Sequence, residues 1–207
     1  MKPVVGSFGR MMAAVAALWF AAPASAQETA TPVAGPTAGQ VAQASPTVMP
    51  RGGAADPDLV SFGVGYFDVL KNEPRNRAAD FRLEYRFGES LLSDIEQYVS
   101  IRPWVGAEIT SDGGVYGAGG LLFDFEVGSF NFTPSFGAGL HYDGDGKQLG
   151  SFWEFRSQAE LSYRFDNDSR IGIAFGHISN AGLSKDNPGS EILTLYYHVP
   201  SSWLFGW

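Results

Sequence analysis

The sequence lacks cysteine, has few basic residues and contains no apolar run of membrane-helix length. With no cysteine among 207 residues, no disulfide can hold the fold. An exported chain without disulfides needs another source of stability, and a closed hydrogen-bonded sheet or a membrane can provide it. The 14 basic residues are outnumbered by 22 acidic ones. This balance argues against a nucleic-acid partner, because binding to phosphates requires a basic face.

The N-terminus has the features of a secretory signal. Lys2 and Arg10 give it a positive start, residues 11–22 are apolar, and Ala24-Ser25-Ala26 is a small-residue cleavage site. The apolar run is shorter than the roughly 20 residues that a membrane helix needs. Cleavage would leave 12 basic against 22 acidic residues, a net charge of −10.

Three parts of the chain are expected. Residues 1–26 form the signal peptide, and residues 27–56 form a disordered tether rich in Ala, Pro and Gly. The tether has no hydrophobic period and cannot bury enough apolar surface to offset the entropy lost on ordering. Residues 57–207 are predicted to form one folded domain.

The folded part alternates apolar and polar residues with the period of a β-strand. In the segment from 79 to 87, one face is apolar and aromatic, and the other carries Asp80, Arg82, Glu84 and Arg86. The segment from 153 to 165 repeats this design with Glu154, Arg156, Glu160 and Arg164. A charged face opposite an aromatic face is typical of a transmembrane barrel, which is apolar towards lipid and polar towards its lumen. A soluble lipocalin-like barrel is the alternative.

The predicted fold is all-β, an eight-stranded antiparallel transmembrane β-barrel. A barrel of this size has a lumen filled by side chains and is not a pore. If both termini are periplasmic, the odd-to-even connections face the outside, and the aromatic residues Trp203, Phe205 and Trp207 suit an interfacial girdle. The expected strands are 58–70, 78–88, 98–110, 114–126, 129–142, 150–165, 169–179 and 190–199.

One stretch near the C-terminus, Phe175-Gly176-His177-Ile178-Ser179-Asn180, carries a base and a nucleophile on the same strand face. Residues i and i+2 on a strand point the same way, so His177 can approach the Ser179 hydroxyl. Glu191 lies on the next predicted strand, on the face that carries apolar residues, as do His177 and Ser179 on theirs. A nucleophile, a base and an orienting carboxylate are the components of a triad hydrolase. Ionisable groups that face lipid are costly and therefore indicate function.

The segment Phe175–Glu191, FGHISNAGLSKDNPGSE, resembles the signature of the lipid A 3-O-deacylase (PagL) family of outer-membrane barrels. The resemblance implies a carboxylic ester hydrolase that removes the 3-O-linked acyl chain of lipid A in the outer leaflet. It implies that His177, Ser179 and Glu191 are catalytic, that Asn187 stabilises the oxyanion and that Asn180 positions the loop. It also implies lipopolysaccharide as substrate, location in the Gram-negative outer membrane, and no metal or cofactor.

Other interpretations stay open on the sequence. A non-catalytic structural or adhesion barrel explains the strands equally well, and an acyltransferase could act on the same lipid. A homodimer is also left open. Lys71, Arg75 and Arg77 could meet lipid A phosphates or form a solvated loop, whereas His141 and His198 fall on lumen parity.

Overall fold

A computed structural model of the protein describes residues 56–71, 76–92 and 99–206. The predicted signal peptide and nearly all of the predicted tether lie outside the described residues. The described chain contains eight strands, as predicted, followed by one short helix. These elements are β1 (Leu59–Phe67), β2 (Ala78–Arg86), β3 (Ser100–Thr110), β4 (Val115–Val127), β5 (Phe130–Tyr142), β6 (Trp153–Arg164), β7 (Arg170–Ser179), β8 (Ser190–Pro200) and α1 (Ser201–Phe205).

The strands close into one barrel. Each strand pairs with the next along the chain, and β8 pairs antiparallel with β1, with Phe67 opposite Ile192 and Val60 opposite Val199. Closure leaves no strand with an unpaired edge. The prediction of an eight-stranded antiparallel barrel is therefore confirmed. In the part of the chain that the structure covers, no helix is long and apolar enough to cross a membrane.

The outer face of the barrel is apolar. On β7 the side chains of Ile171, Ile173 and Phe175 are exposed, while Ala174 between them is buried inside. The same alternation runs around the barrel, and the 25 exposed aromatic and aliphatic side chains of the eight strands would cost free energy in water. An apolar exterior around a polar interior is the arrangement of a membrane barrel.

The lumen is filled by ion pairs centred on Glu84. Its carboxylate accepts hydrogen bonds from Arg156 at 2.6 Å, Arg86 at 3.0 Å and the Tyr196 hydroxyl at 2.9 Å. Arg86 also reaches Glu160 at 2.8 Å, so the ion pairs and the Tyr196 hydrogen bond join β2, β6 and β8 into one network. Because the network is buried, its charges are stable only while each has a partner. The predicted inward position of these charges is confirmed.

A second buried carboxylate, Asp124, ties the other end of the lumen together. It accepts from Arg170 at 2.7 Å, Thr133 at 2.7 Å and Asn131 at 3.1 Å, and it also pairs with Arg102. These partners lie on β3, β5 and β7, so one side chain braces the barrel from within.

Two strands are three residues shorter at one end than predicted, because of backbone turns, and the other expected bounds differ by at most two residues. β1 ends at Phe67 rather than at residue 70, since Asp68 has a φ of 59° and turns the chain out of the extended conformation. β6 begins at Trp153 rather than at residue 150, because Gly150 has a φ of 86°. β8 ends at Pro200, one residue beyond the expected bound, and the tail after it begins with α1.

A small apolar cluster closes the barrel end that carries the β1–β2, β3–β4, β5–β6 and β7–β8 connections, here called the distal end. It contains Ile178 of β7, Ile192 of β8 and Leu149 of the β5–β6 connection, all fully buried. Ile178 lies between His177 and Ser179 in the sequence, and Ile192 follows Glu191. The cluster therefore anchors from inside the backbone that presents these residues on the outside.

We expect the substitution Glu84→Ala to destabilise the barrel by about 3–5 kcal/mol, since the buried Arg156 would lose its close carboxylate partner and the buried Arg86 would keep only Glu160. The measurement is urea unfolding of the protein in lipid vesicles, followed by tryptophan fluorescence.

Glu126→Ala is the matched control. Glu126 pairs with Arg164 but keeps 31% of its side-chain surface exposed, so its loss should cost no more than about 1 kcal/mol. Equal losses for the two variants would contradict the role assigned to the Glu84 network.

Candidate active site

The register of β7 and β8 brings together two of the residues that the sequence singled out. His177 lies directly opposite Glu191, and Ile178 lies opposite Ser190. Both His177 and Glu191 belong to the outer face that carries Phe175 and Leu193, so their predicted shared parity is confirmed. The Nδ1 atom of His177 lies 3.3 Å from Oε1 of Glu191. The imidazole therefore has a carboxylate at one nitrogen, which leaves Nε2 for another partner.

The imidazole and carboxylate differ from the lumen charges in being accessible. Side-chain exposure is 38% for His177 and 21% for Glu191, whereas the lumen carboxylates are almost completely buried. A molecule outside the barrel can therefore reach His177 without any opening of the fold.

Ser179 follows His177 on the same face, at the last position of β7. Ser179 is 6% exposed, and it lies opposite Phe155 of β6 in the strand register. Among the described residues no hydrogen bond joins the Ser179 hydroxyl to the His177 ring. Catalytic hydrogen bonds of unliganded enzymes are often long and tighten when substrate binds. The structure thus brings His177 and Glu191 together and places Ser179 beside them, unbonded.

Asn180 organises the β7–β8 connection. Its side-chain amide donates to the carbonyls of Leu149 at 3.1 Å and Asp186 at 2.8 Å, and its Oδ1 accepts from the Gly182 N–H at 3.0 Å. The residue is fully buried. Every polar atom of this side chain is therefore used inside the protein, and the amide closes the connection into a compact loop.

Asn187 is held by the backbone of Asn180. The Asn180 N–H donates to Asn187 Oδ1 at 3.0 Å. Because an N–H can only donate, the oxygen of the Asn187 amide must face Asn180, and Nδ2 points the other way. Nδ2 is thus a positioned donor with no partner among the described residues, while the Asn180 N–H is already in use.

Gly189 forms the surface behind the His177 ring. It has a φ of 57°, and a Cβ atom at this position would lie 2.8 Å from His177 Cε1. Both the positive φ and the close approach require glycine. The structure therefore places Gly189 directly against the imidazole.

A second Ser-His-Glu set lies inside the lumen and is sealed. The Ser61 hydroxyl lies 2.7 Å from Nδ1 of His198, and Nε2 of His198 lies 2.9 Å from Glu160. All three residues are at most 1% exposed. No ester can reach them, so this set stabilises the lumen, and the outer set is the candidate active site. The lumen position predicted for His198 is confirmed.

Two contributors to the outer site come from distant loops. Lys71 of the β1–β2 connection donates to the carbonyls of Pro188 and Gly189, and Leu149 of the β5–β6 connection accepts from Asn180. No sequence signal pointed to these contacts, since they join loops more than 30 residues apart. Within residues 56–71, 76–92 and 99–206, no group of three or more metal-ligating side chains occurs.

Comparison with known proteins gives consistent matches. The family model described as lipid A 3-O-deacylase (PagL) matches residues 79–200. Lipid A deacylase PagL of Bordetella bronchiseptica is 37% identical over 51 residues, which are 25% of this chain and 29% of that protein. The corresponding protein of Pseudomonas aeruginosa is 30% identical over 102 residues, 43% of this chain and 58% of that protein. The chain thus spans less than two thirds of the length of these relatives.

A solved structure shares the fold. It is the crystal structure of the outer membrane enzyme PagL, with a TM-score of 0.52 and 21% identity, and the match covers 69% of this chain and 99% of that one. The closed barrel with an apolar exterior and the family match together confirm the predicted location as an integral protein of the outer membrane. Since the family model spans more than half of its residues, the chain belongs to the lipid A 3-O-deacylase (PagL) family.

Proposed function

We propose that the chain hydrolyses the 3-O-linked acyl ester of lipid A, with Ser179 as nucleophile, His177 as general base and Glu191 as the group that orients the imidazole. The observation that carries the proposal is the 3.3 Å approach of His177 Nδ1 to Glu191 Oε1 on the apolar outer face. The family to which the chain belongs supports the choice of substrate. With the distal end facing outwards, the site would meet the outer leaflet, where lipid A resides.

The reaction follows the logic of a triad esterase. Ser179 Oγ attacks the ester carbonyl carbon while His177 Nε2 accepts the hydroxyl proton. The carbon–oxygen bond to the sugar then breaks, and the imidazolium returns the proton to the sugar oxygen. A water molecule, deprotonated by His177, attacks the acyl-enzyme, which releases the fatty acid and restores Ser179. Glu191 keeps the proton of the neutral ring on Nδ1 and stabilises the imidazolium.

The β7–β8 connection would supply the oxyanion donor. Asn187 Nδ2 is the candidate, because Oδ1 of the same amide is held at 3.0 Å by the Asn180 N–H. A well-placed donor of this kind contributes roughly 3–4 kcal/mol to transition-state stabilisation. Asn180 acts as a positioning residue, because its own polar atoms are bonded within the loop.

The acyl chain would lie on the outer face beside the site. Phe175 and Leu193 pair in register next to His177 and Glu191, and both side chains are exposed. Contact with such side chains is favourable for a fatty acyl chain and not for a water-soluble ester. The arrangement thus favours a lipid substrate that approaches from the side of the barrel.

Ser179→Ala and His177→Ala should each lower the release of the 3-hydroxy fatty acid by about 1,000-fold or more, because each removes a group that acts in the covalent step. The measurement is mass spectrometry of lipid A from vesicles incubated with the purified protein. Ser184→Ala, in the same connection, is the control and should retain wild-type activity.

Wild-type-level deacylation by either triad variant would contradict the assignment. A gain in acyl mass with the wild-type protein would identify an acyltransferase instead, and an unchanged spectrum would favour a non-catalytic barrel.

The variant Asn187→Asp distinguishes a structural role of Asn187 in the loop from a role in stabilising the oxyanion. An aspartate can still accept the hydrogen bond from the Asn180 N–H, but it has no donor for the oxyanion. We expect kcat to fall by about 100- to 1,000-fold, as far as in Asn187→Ala, with the barrel intact. Near-normal turnover of the Asp variant would assign Asn187 to loop structure only.

Gly189→Ala should lower kcat by about 10- to 100-fold, since the added methyl group would displace the His177 ring. Gly182→Ala is matched to it, because Gly182 also has a positive φ, of 82°, but a Cβ there meets no atom within 4 Å. Both variants therefore carry backbone strain, and only Gly189→Ala touches the base. Equal losses of activity would show that strain alone is responsible.

A further inference from the structure

The β1–β2 connection continues alongside the segment that leads into Glu191, beyond the end of the regular pairing. The Val69 N–H donates to the Glu191 carbonyl at 2.9 Å, and the Ser190 hydroxyl donates to Asp68 Oδ1 at 3.1 Å. One residue further back on that segment, the Lys71 ammonium donates to the Gly189 carbonyl at 3.1 Å and also to the Pro188 carbonyl. Every residue from 188 to 191 is therefore bonded to this connection.

The Asp68 carboxylate, at the start of this connection, is buried and paired. Asp68 is fully buried and turns the chain with a φ of 59°, and Lys147 of the β5–β6 connection pairs with its carboxylate. Burial lowers the pKa of Lys147, and the nearby Lys71 lowers it further. The β1–β2 and β5–β6 connections thus meet at the Asp68 carboxylate, which fixes the backbone three residues before Lys71.

The two carbonyls that Lys71 binds belong to consecutive residues. An ammonium that donates to both carbonyls fixes the orientation of the peptide groups on either side of Gly189. Gly189 supports the imidazole of His177, where a Cβ would lie 2.8 Å from Cε1, and Pro188 follows Asn187 directly. The orientation of these peptide groups therefore sets where both the base and the oxyanion donor stand.

We propose that Lys71 is a positioning residue of the active site, which fixes the Pro188-Gly189 peptide groups behind His177 and beside Asn187. The inference rests on the proposed function, because it assigns roles to His177 and Asn187. It differs from the interpretation of Lys71 as a contact for lipid A phosphates. Two of the three ammonium hydrogens are already used within the protein, so the side chain is committed to the loop.

The test compares Lys71→Met, which keeps the aliphatic stem but removes the donors, with Lys71→Arg, which can again donate to two carbonyls. Two quantities are measured on the detergent-solubilised full-length protein: kcat and KM for lipid A, and the rate at which a fluorophosphonate labels Ser179. The fluorophosphonate carries no sugar phosphate, so its reaction reports only on the triad and the oxyanion site.

Lys71→Met should lower both kcat and the labelling rate by about 10- to 100-fold, with KM within about twofold of wild type. Lys71→Arg should recover most of the loss. Lys185→Met, which removes an exposed lysine from the β7–β8 connection, is the charge-matched control and should behave as wild type. Heat-modifiability on gels verifies that each variant retains a folded barrel.

A rise in KM with unchanged labelling would overturn the proposal and make Lys71 a contact for substrate phosphates. Unchanged values for Lys71→Met would overturn it as well. If the wild-type protein is labelled but leaves lipid A intact, the proposed substrate is wrong, and the labelling rates still decide the role of Lys71. Wild-type protein that resists labelling would contradict the triad and the role of Lys71 together.

Discussion

Alternation of side chains along a strand, fixed by the closed hydrogen-bond register, is the constraint on which the rest of this structure depends. Because the period is two, a slip of β8 by one residue against β7 would turn Glu191 into the lumen, away from His177, and expose Ile192. The fully buried apolar cluster and the Glu84 network both oppose such a slip. The register that keeps charges inside and hydrocarbon outside is thus the same register that sets the His177 imidazole opposite the Glu191 carboxylate on the outer face.

The two Ser-His-Glu sets differ in the length of their contacts and in their accessibility. The lumen set of Ser61, His198 and Glu160 has the shorter contacts, at 2.7 and 2.9 Å, yet it is sealed. In the outer set the contact between His177 and Glu191 is longer, at 3.3 Å, and the ring is accessible. Tight hydrogen bonding alone therefore does not identify an active site in this barrel. Accessibility favours the outer set as the candidate site, together with the Asn187 Nδ2 donor, which has no partner among the described residues.

The sequence predicted what depends on local pattern and missed what depends on long-range loop contacts. Period-two alternation was enough for the eight strands, for the inward position of Glu84 and for the shared parity of His177 and Glu191. It could not predict that Asp68 ends β1 with a positive φ, because non-glycine residues rarely adopt that conformation. Nor could it place Lys71 against Gly189, a contact that spans 118 residues of sequence. Such contacts are decided by how closure brings neighbouring loops together at the distal end.

A polar site on the outside of a membrane barrel can exist only near its rim. Ionisable groups are costly among lipid chains, so His177, Ser179 and Glu191 stand at the distal ends of β7 and β8, where water is near and a lipid can still approach along Phe175 and Leu193. Rim positions, however, lie where strands give way to loops, and loops are ordinarily mobile. In this chain, hydrogen bonds hold the β7–β8 connection along its length. The Asn180 amide donates to the carbonyls of Leu149 and Asp186, and the Asn180 N–H donates to Asn187. Lys71 donates to the Gly189 carbonyl. A donor held this way needs no reorganisation when charge develops on a substrate, which is the condition under which electrostatic stabilisation of a transition state is most effective.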